Sequence, residues 1–392
     1  MTGSIRPFRI AVAAEVLEDL RQRLERTRWP DEVDGAGWDY GTDTVYLRQL
    51  ATYWRDGFDW PAREAELNRF EQYRAEVDGI GLHFLHKRGE GQHRIPLLLL
   101  HGWPSSFVQM LDIIPLLVCG EPAFDVVVPS LPGYGFSDVS KDRGMSTSRM
   151  ARLLAKLMTD VLGYSQFAAR GSDLGGAVLR QLALAQPDLL IGLHLSGTSP
   201  VVTQVPENLS PAEQTFVQNR QQWMQEEMAY FMLHSTKPQT LANGLNDSPA
   251  GLASWIIEKF RRWSDCGGNL ESRYTKDEML TNLTIYWVTC TINSSMRLYY
   301  ETARDRGKQG YIEVPTGLLM SPHDMFPTPR EWVERSHNVV HWRETNRGGH
   351  FLEWEEPQLV ADDLREFFQL LRKRPVESAR RYSANAGGSS AD

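Results

Sequence analysis

Cysteine is scarce: the 392 residues hold three, Cys119, Cys266 and Cys290, spaced neither as a disulfide framework nor as a zinc-ligand set. They are expected to be reduced core thiols, which suits a cytoplasmic protein. A block of positive charge is missing too. Lys and Arg number 42 against 50 Asp and Glu, a net charge of -8 with both signs mixed along the chain, so neither nucleic acid nor an anionic membrane surface is an expected partner. Long apolar runs are also absent, and a stretch such as Ile95 to Leu100 falls far short of the roughly 20 residues that cross a bilayer. Met1 to Phe8 lack the apolar segment of a secretory signal, so no signal peptide or membrane anchor is expected. Repeats and low-complexity tracts are lacking up to about residue 375, and the small, polar end of the chain is expected to form a flexible tail over 376–392.

What is present is a chain with 41% hydrophobic and 23% charged residues, enough for one large core or two ordinary ones. Residues 1–75 read as helices with no strand pattern: Leu17, Leu20 and Leu24 share one face, Tyr46, Leu50, Tyr53 and Trp54 another, and Leu67 and Phe70 follow a helix-opening Pro61. At Val77-Asp78-Gly79-Ile80 a hairpin turn signal opens a sheet. Short apolar runs then recur at Ile80–His86, Pro96–Leu100, Phe124–Val128, Gln166–Ala169 and Ile191–Ser196, separated by helical or turn segments, as in parallel βαβ units buried on both faces. From about 198 to 305 the pattern gives way to helical sequence rich in Gln, Trp, Met and Tyr, far longer than an ordinary crossover. This reads as a helical lid inserted into an α/β core whose two parts span 76–197 and 306–375. Strands resume at Gly317–Met320 and Asn338–Trp342, and an amphipathic helix carrying Val360, Leu364, Phe368 and Leu371 on one stripe closes the domain.

The chemistry concentrates where strands end. The run Arg170-Gly171-Ser172-Asp173-Leu174-Gly175-Gly176 carries a strand into a helix with small residues two before and two and three after Asp173. That is the pattern of a nucleophile elbow, whose central residue is strained and crowded against the next helix. An aspartate, not a serine, stands at its centre; Ser172 fails the test because its flanks at 170 and 174 are Arg and Leu. The bland alternative is a glycine-rich turn with an incidental Asp cap. Upstream, His101-Gly102-Trp103-Pro104 ends a strand, and the backbone N–H groups of Trp103 and Leu174 are candidate oxyanion donors; His101 itself reads as a structural turn histidine. Downstream, Gly348-Gly349-His350-Phe351 puts a histidine after a strand, in the order nucleophile, acid, histidine. Asp324, just past a strand end, is the candidate acid, with Glu344 and Glu355 as fallbacks. In the lid, Tyr230 and Tyr299 are neutral donors suited to a developing alkoxide, although spacing alone favours a core role for both.

Together these segments resemble the microsomal-type epoxide hydrolases over nearly the whole chain. The matching pieces are Arg28-Trp29-Pro30, Trp54 with Phe58-Asp59-Trp60, Val77 to Ile80 with His83-Phe84, His101 to Pro104, Pro129 to Ser137, Gly171-Ser172-Asp173, Leu245 to Pro249, Tyr286-Trp287 and Gly348 to Phe351. The resemblance implies an α/β-hydrolase fold with an N-terminal helical extension and an inserted lid. It also implies Asp173 as nucleophile, His350 as base, Asp324 as its acid partner, and Tyr230 and Tyr299 as the polarisers of the epoxide. Two departures stand out: Ser172 and Leu174 replace the family's Gly and Trp around the nucleophile, and the membrane anchor of the animal enzymes has no counterpart. The chain is therefore similar to the soluble bacterial members, a group that includes epoxide hydrolases of enediyne antibiotic pathways. The implied partners are a small-molecule epoxide, apolar or aryl from the aromatic density around Trp103 and Trp223, and water; no metal or organic cofactor is implied, and homo-oligomer formation is left open. Two rival readings are a haloalkane dehalogenase, disfavoured because Leu174 cannot bind halide as tryptophan does, and a catalytically silent lid-bearing binding protein.

Overall fold

A computed structural model describes residues 4–91, 93–196, 205–305 and 307–373. The expected tail at 376–392 and the first residues assigned to the lid, 198–204, lie outside the described residues. Nine strands form one sheet: β1 (Arg6–Phe8), β2 (Gln72–Val77), β3 (Ile80–Lys87), β4 (Arg94–Leu100), β5 (Ala123–Pro129), β6 (Phe167–Ser172), β7 (Leu190–Ser196), β8 (Ile312–Met320) and β9 (His337–Glu344). Their order is β1-β2-β3-β5-β4-β6-β7-β8-β9. The first three pairings are antiparallel, and every pairing from β5 to β9 is parallel.

The parallel strands are legible because both of their faces are covered. All seven residues of β5 and all six of β6 are buried, so they read as continuous apolar runs without alternation. Asp78 and Gly79 both take positive φ, 49° and 77°, and pair Val77 with Ile80 across the hairpin, as the Asp-Gly signal predicts. The first 75 residues are not all helical, contrary to expectation. Helices at Ala14–Glu25, Thr44–Asp56 and Trp60–Leu67 are there, but β1 and most of β2 also fall within this stretch. Three residues are too few to display a period of two, and β1 exists only through its pairing with β2, in which Arg6 lies opposite Arg74, 68 positions on in the chain.

Two of the expected core thiols are also misplaced: Cys119 and Cys290 are exposed, and only Cys266 is buried. Each exposed one ends a helix, Cys119 after Ile113–Val118 and Cys290 at a left-handed position (φ 54°) after Lys276–Thr289. Among the described residues no helix is long and apolar enough to cross a membrane.

Among the described residues between β7 and β8, six helices roof the carboxyl ends of the strands: Pro211–Glu227, Ala229–Thr236, Pro238–Leu245, Pro249–Trp263, Lys276–Thr289 and Ile292–Arg304. The N-terminal helices are lashed to this roof. Trp54 Nε1 donates to Thr284 Oγ1 at 2.9 Å, the Tyr53 hydroxyl to Asp277 at 2.8 Å, and Arg23 pairs with Asp247 at 2.6 Å. The order in which the chain adds strands reverses about β4, from which the chain moves first to β5 on one side and later to β6 on the other. Open α/β sheets place their sites at the carboxyl ends beside such a switch.

Burial of histidine gives the fold a pH sensitivity. Burial holds His83 and His234 down to about 3, and His101, His194 and His337 down to about 4. These groups are neutral in the folded chain while the unfolded chain takes up protons near pH 6.5. Their contribution is complete above that pH and is lost as the pH falls towards 4, at about 1.4 kcal/mol per pH unit for each group. Glu355, which burial raises to about 7, and His350 and His341, which their carboxylate partners raise, work in the opposite sense and offset part of the effect. The urea midpoint is expected to fall steeply between pH 7 and pH 5; a flat profile there would show that the buried imidazoles are not held neutral.

Candidate active site

Strands β4 and β6 run parallel with Leu100 opposite Gly171, so the turn after β4 and the elbow after β6 leave the sheet side by side. Asp173 sits at φ 49°, a left-handed conformation that costs a residue with a side chain about 1–3 kcal/mol. Its surroundings hold it there. A Cβ at Gly175 would lie 2.6 Å from the carbonyl oxygen of Leu100, and one at Gly102 would lie 2.5 Å from Asp173 Oδ1. Only glycine admits so close an approach, which is why the elbow and the His101-Gly102 turn carry glycine where they do.

The carboxylate of Asp173 faces two ways. Oδ1 accepts the backbone N–H of Trp103 at 2.9 Å, and Oδ2 lies 3.5 Å from His350 Nε2. Leu174 follows in the first turn of the helix Asp173–Ala185, where a backbone N–H has no intrahelical acceptor. The opposite nitrogen of His350, Nδ1, lies 2.7 Å from Asp324 Oδ1. Asp324 and His350 are brought together because β8 and β9 are parallel neighbours, with a further bridge between His323 and Gly349 beyond their ends. Burial alone would push the His350 imidazole down, but the carboxylates of Asp324 and Asp173 outweigh it and raise the group to about 10.

The two fallback acids go elsewhere. Glu344 accepts from Trp342 Nε1 at 3.0 Å. Glu355 accepts the backbone N–H groups of Gly349, Phe351 and Asp265 at 2.9, 3.0 and 2.8 Å, which pins the loop carrying His350. His101 is buried and structural: its Nε2 accepts the Leu131 N–H at 3.2 Å, and burial lowers it to about 4.

Above Asp173 the lid presents an aromatic cage. Tyr230 stacks on Trp103 with centroids 5.4 Å apart, and Tyr299 stands edge-on to both, 6.2 Å from each. Trp263 closes the side, 5.1 Å from Tyr230 and 5.4 Å from His350, and its carbonyl accepts the His350 N–H at 2.7 Å. Burial, reinforced by the negative charge of Asp173, keeps both phenols protonated far above the usual range. The Tyr299 hydroxyl is buried with no hydrogen-bond partner, a cost that a functional site sustains when its ligand supplies the acceptor. Trp223 lies on the outer side, 6.5 Å from Tyr230.

One group escapes the sequence reading. Arg170, three residues before Asp173, and Glu353, three after His350, are both fully buried and bonded Nε to Oε1 at 2.9 Å. Glu353 Oε2 accepts from Gln109 at 2.8 Å, Gln109 accepts from Ser105, and Ser105 donates to the Gly102 carbonyl at 3.1 Å. One buried chain thus ties the strand leading to Asp173, the loop carrying His350 and the Trp103 turn together. The signal was present: an arginine inside an otherwise apolar strand must find an anionic partner. Glu353→Gln leaves that cation without its counter-charge and is expected to cost about 3 kcal/mol of stability in urea unfolding. A loss under about 0.5 kcal/mol would show that the pair is not a strut.

Comparison with known proteins follows the same lines. A family model described as epoxide hydrolase N terminus matches residues 5–110, and one described as alpha/beta hydrolase fold matches 95–240. A putative epoxide hydrolase of Stigmatella aurantiaca is 42% identical over 94% of this chain and 86% of its own length. Epoxide hydrolase 1 of Sus scrofa is 34% identical over 95% of this chain and 90% of its own. Among solved structures, the juvenile hormone epoxide hydrolase of the silkworm Bombyx mori superposes with a TM-score of 0.85 at 31% identity, covering 95% of each chain. The Aspergillus niger epoxide hydrolase does so at 0.84 and 32%, covering 94% of this chain and 97% of that one.

Proposed function

The chain belongs to the epoxide hydrolases of the α/β-hydrolase fold, and from that membership we propose that it opens an apolar or aryl epoxide to a vicinal diol through an ester on Asp173. The observation that carries this reading is the two-way contact of the Asp173 carboxylate: Oδ1 on the Trp103 N–H, Oδ2 towards His350, with two protonated phenols overhead.

In the first step Oδ2 attacks an oxirane carbon, the carbon–oxygen bond breaks, and Tyr230 and Tyr299 donate to the oxygen as it becomes an alkoxide. Esterification removes one of the two carboxylates that hold a proton on His350. Its proton is released as the alkoxide gains one through the phenols, so the count closes. Neutral His350, oriented by Asp324, then takes a proton from water, and the hydroxide adds to the ester carbon. The resulting oxyanion forms at Oδ1, where the Trp103 and Leu174 N–H groups stabilise it. Collapse expels the diol as an alkoxide, which takes the proton from His350, and the carboxylic acid left on Asp173 passes its own proton to His350, restoring the carboxylate and the protonated imidazole.

Hydrolysis of racemic styrene oxide to phenylethanediol, lost in Asp173→Asn, tests the reading. Loss of activity in the wild type towards every aryl and alkyl epoxide in a panel would overturn it. Asp324→Asn should preserve the fold but leave the imidazole in the wrong tautomer and without support for its positive charge, lowering kcat by about 10⁴-fold with the ester accumulating. If Glu344→Gln is the damaging change and Asp324→Asn is harmless, the acid is misassigned. The free cysteines and the absence of a membrane-spanning helix among the described residues support a cytoplasmic location, testable by cell fractionation.

A further inference from the structure

Besides the unpartnered indole N–H groups of Trp103 and Trp263, the cage holds a histidine donor that the mechanism above does not use. His234 lies four residues after Tyr230 on the helix Ala229–Thr236, a spacing that places both on one face. It is fully buried, and its ring packs against Trp103, Tyr299 and Tyr230 at 4.7, 5.0 and 5.6 Å between centroids. Its hydrogen bonding fixes its tautomer. Trp255 Nε1, which can only donate, lies 3.2 Å from His234 Nε2, so Nε2 is the acceptor and the ring proton is on Nδ1. Burial, assisted by the nearby Lys259 ammonium, keeps the ring neutral by lowering it to about 3. Nδ1 is buried and has no hydrogen-bond partner. A buried donor left unpaired carries the full desolvation penalty, so within a substrate cage it calls for an acceptor that the ligand brings.

The oxirane oxygen does not supply that acceptor. It has two lone pairs, and Tyr230 and Tyr299 are already placed to occupy both. The His234 N–H is therefore left for a second oxygen on the substrate, close to the ring because His234 packs against both tyrosines.

We propose that His234 binds an oxygen acceptor carried next to the oxirane, so that this site selects oxygen-substituted epoxides of the glycidyl ether type over hydrocarbon epoxides of the same shape. The proposal rests on the epoxide hydrolase reading above and names the substrate class within it.

The test compares benzyl glycidyl ether with its all-carbon analogue, in which a methylene replaces the ether oxygen. Wild-type enzyme is expected to favour the ether by about tenfold in kcat/KM, since a site built around a hydrogen bond rejects the analogue that lacks it. His234→Leu should bring the ratio near one, by loss on the ether alone and chiefly in KM. His234→Phe, which keeps an aromatic ring in the cage, should do the same if the leucine variant folds poorly. His234→Gln, which retains an N–H donor, should keep much of the preference. A wild-type ratio near one overturns the proposal, as does a preference that survives in the leucine or phenylalanine variant, because a packing role would weaken both substrates alike. Failure to hydrolyse either compound would strike the epoxide hydrolase reading itself, whereas equal turnover of both leaves that reading standing and removes only the role of His234.

Discussion

His350→Gln is expected to stop after ring opening, accumulating a protein heavier by one intact epoxide, with the added mass on the peptide that contains Asp173. The two half-reactions separate because they need different groups. Attack by Asp173 Oδ2 requires no base, only the carboxylate and the donors above it, whereas hydrolysis of the ester requires a group to take a proton from water. On the proposed mechanism that group is His350, whose Nε2 lies 3.5 Å from Oδ2 and whose Nδ1 is backed by Asp324. A companion measurement uses oxygen-18 water. In a single turnover the wild-type diol should be mostly unlabelled, since its new oxygen comes from Asp173, and the label should enter the aspartate. A fully labelled diol, with no adduct in His350→Gln, would establish direct hydration by an activated water and remove Asp173 from the role of nucleophile.

The second large effect falls on the lid. Tyr299→Phe should slow ester formation while leaving ester hydrolysis nearly untouched, because on the proposed mechanism the phenol meets the epoxide oxygen and the Trp103 N–H meets the carbonyl. Loss of one preorganised donor costs roughly 3–4 kcal/mol, about a hundred- to a thousand-fold in rate. Tyr230→Phe combined with Tyr299→Phe leaves the alkoxide without any donor in a dry cage and should abolish alkylation. The measurement is the pre-steady-state rate of ester formation, followed by the quenching of the tryptophans that line the cage. An unchanged alkylation rate in the double variant would rule both phenols out.

The parts of this protein that could be read from its sequence share one property: their signal is local. The elbow is visible because Gly175 and Gly102 must lack side chains for the backbone to approach, and β4, β5 and β6 are visible because burial on both faces leaves their residues mostly apolar. Signals created by distant partners were not visible. β1 acquires its structure only from β2. Arg170 in an apolar strand announces its need for an anionic partner, but nothing near it names Glu353, 183 positions on. The significance of His234 depends on Trp255, since it is the indole that decides which ring nitrogen keeps the proton. The exposure of Cys119 and Cys290 likewise depends on where two helices stop. In the same way, the meeting of Asp324 with His350 follows from the adjacency of β8 and β9, which no spacing in the chain reveals, and it is this adjacency that separates Asp324 from Glu344 and Glu355.

The bonds from Trp54, Tyr53 and Arg23 to Thr284, Asp277 and Asp247 bear on how this enzyme can be re-engineered. They make the roof and the amino-terminal helices a single mechanical part assembled from two distant stretches of chain. A lid from a homologue with a different substrate range is therefore not an exchangeable cassette. Grafted alone, it would meet a foreign clasp at Thr284, where the buried indole N–H of Trp54 would be left without an acceptor. Recombination libraries that seek new selectivity should place one crossover near residue 70, inherit the first three helices from the parent that donates the roof, and leave the sheet with its elbow and histidine loop to the other parent.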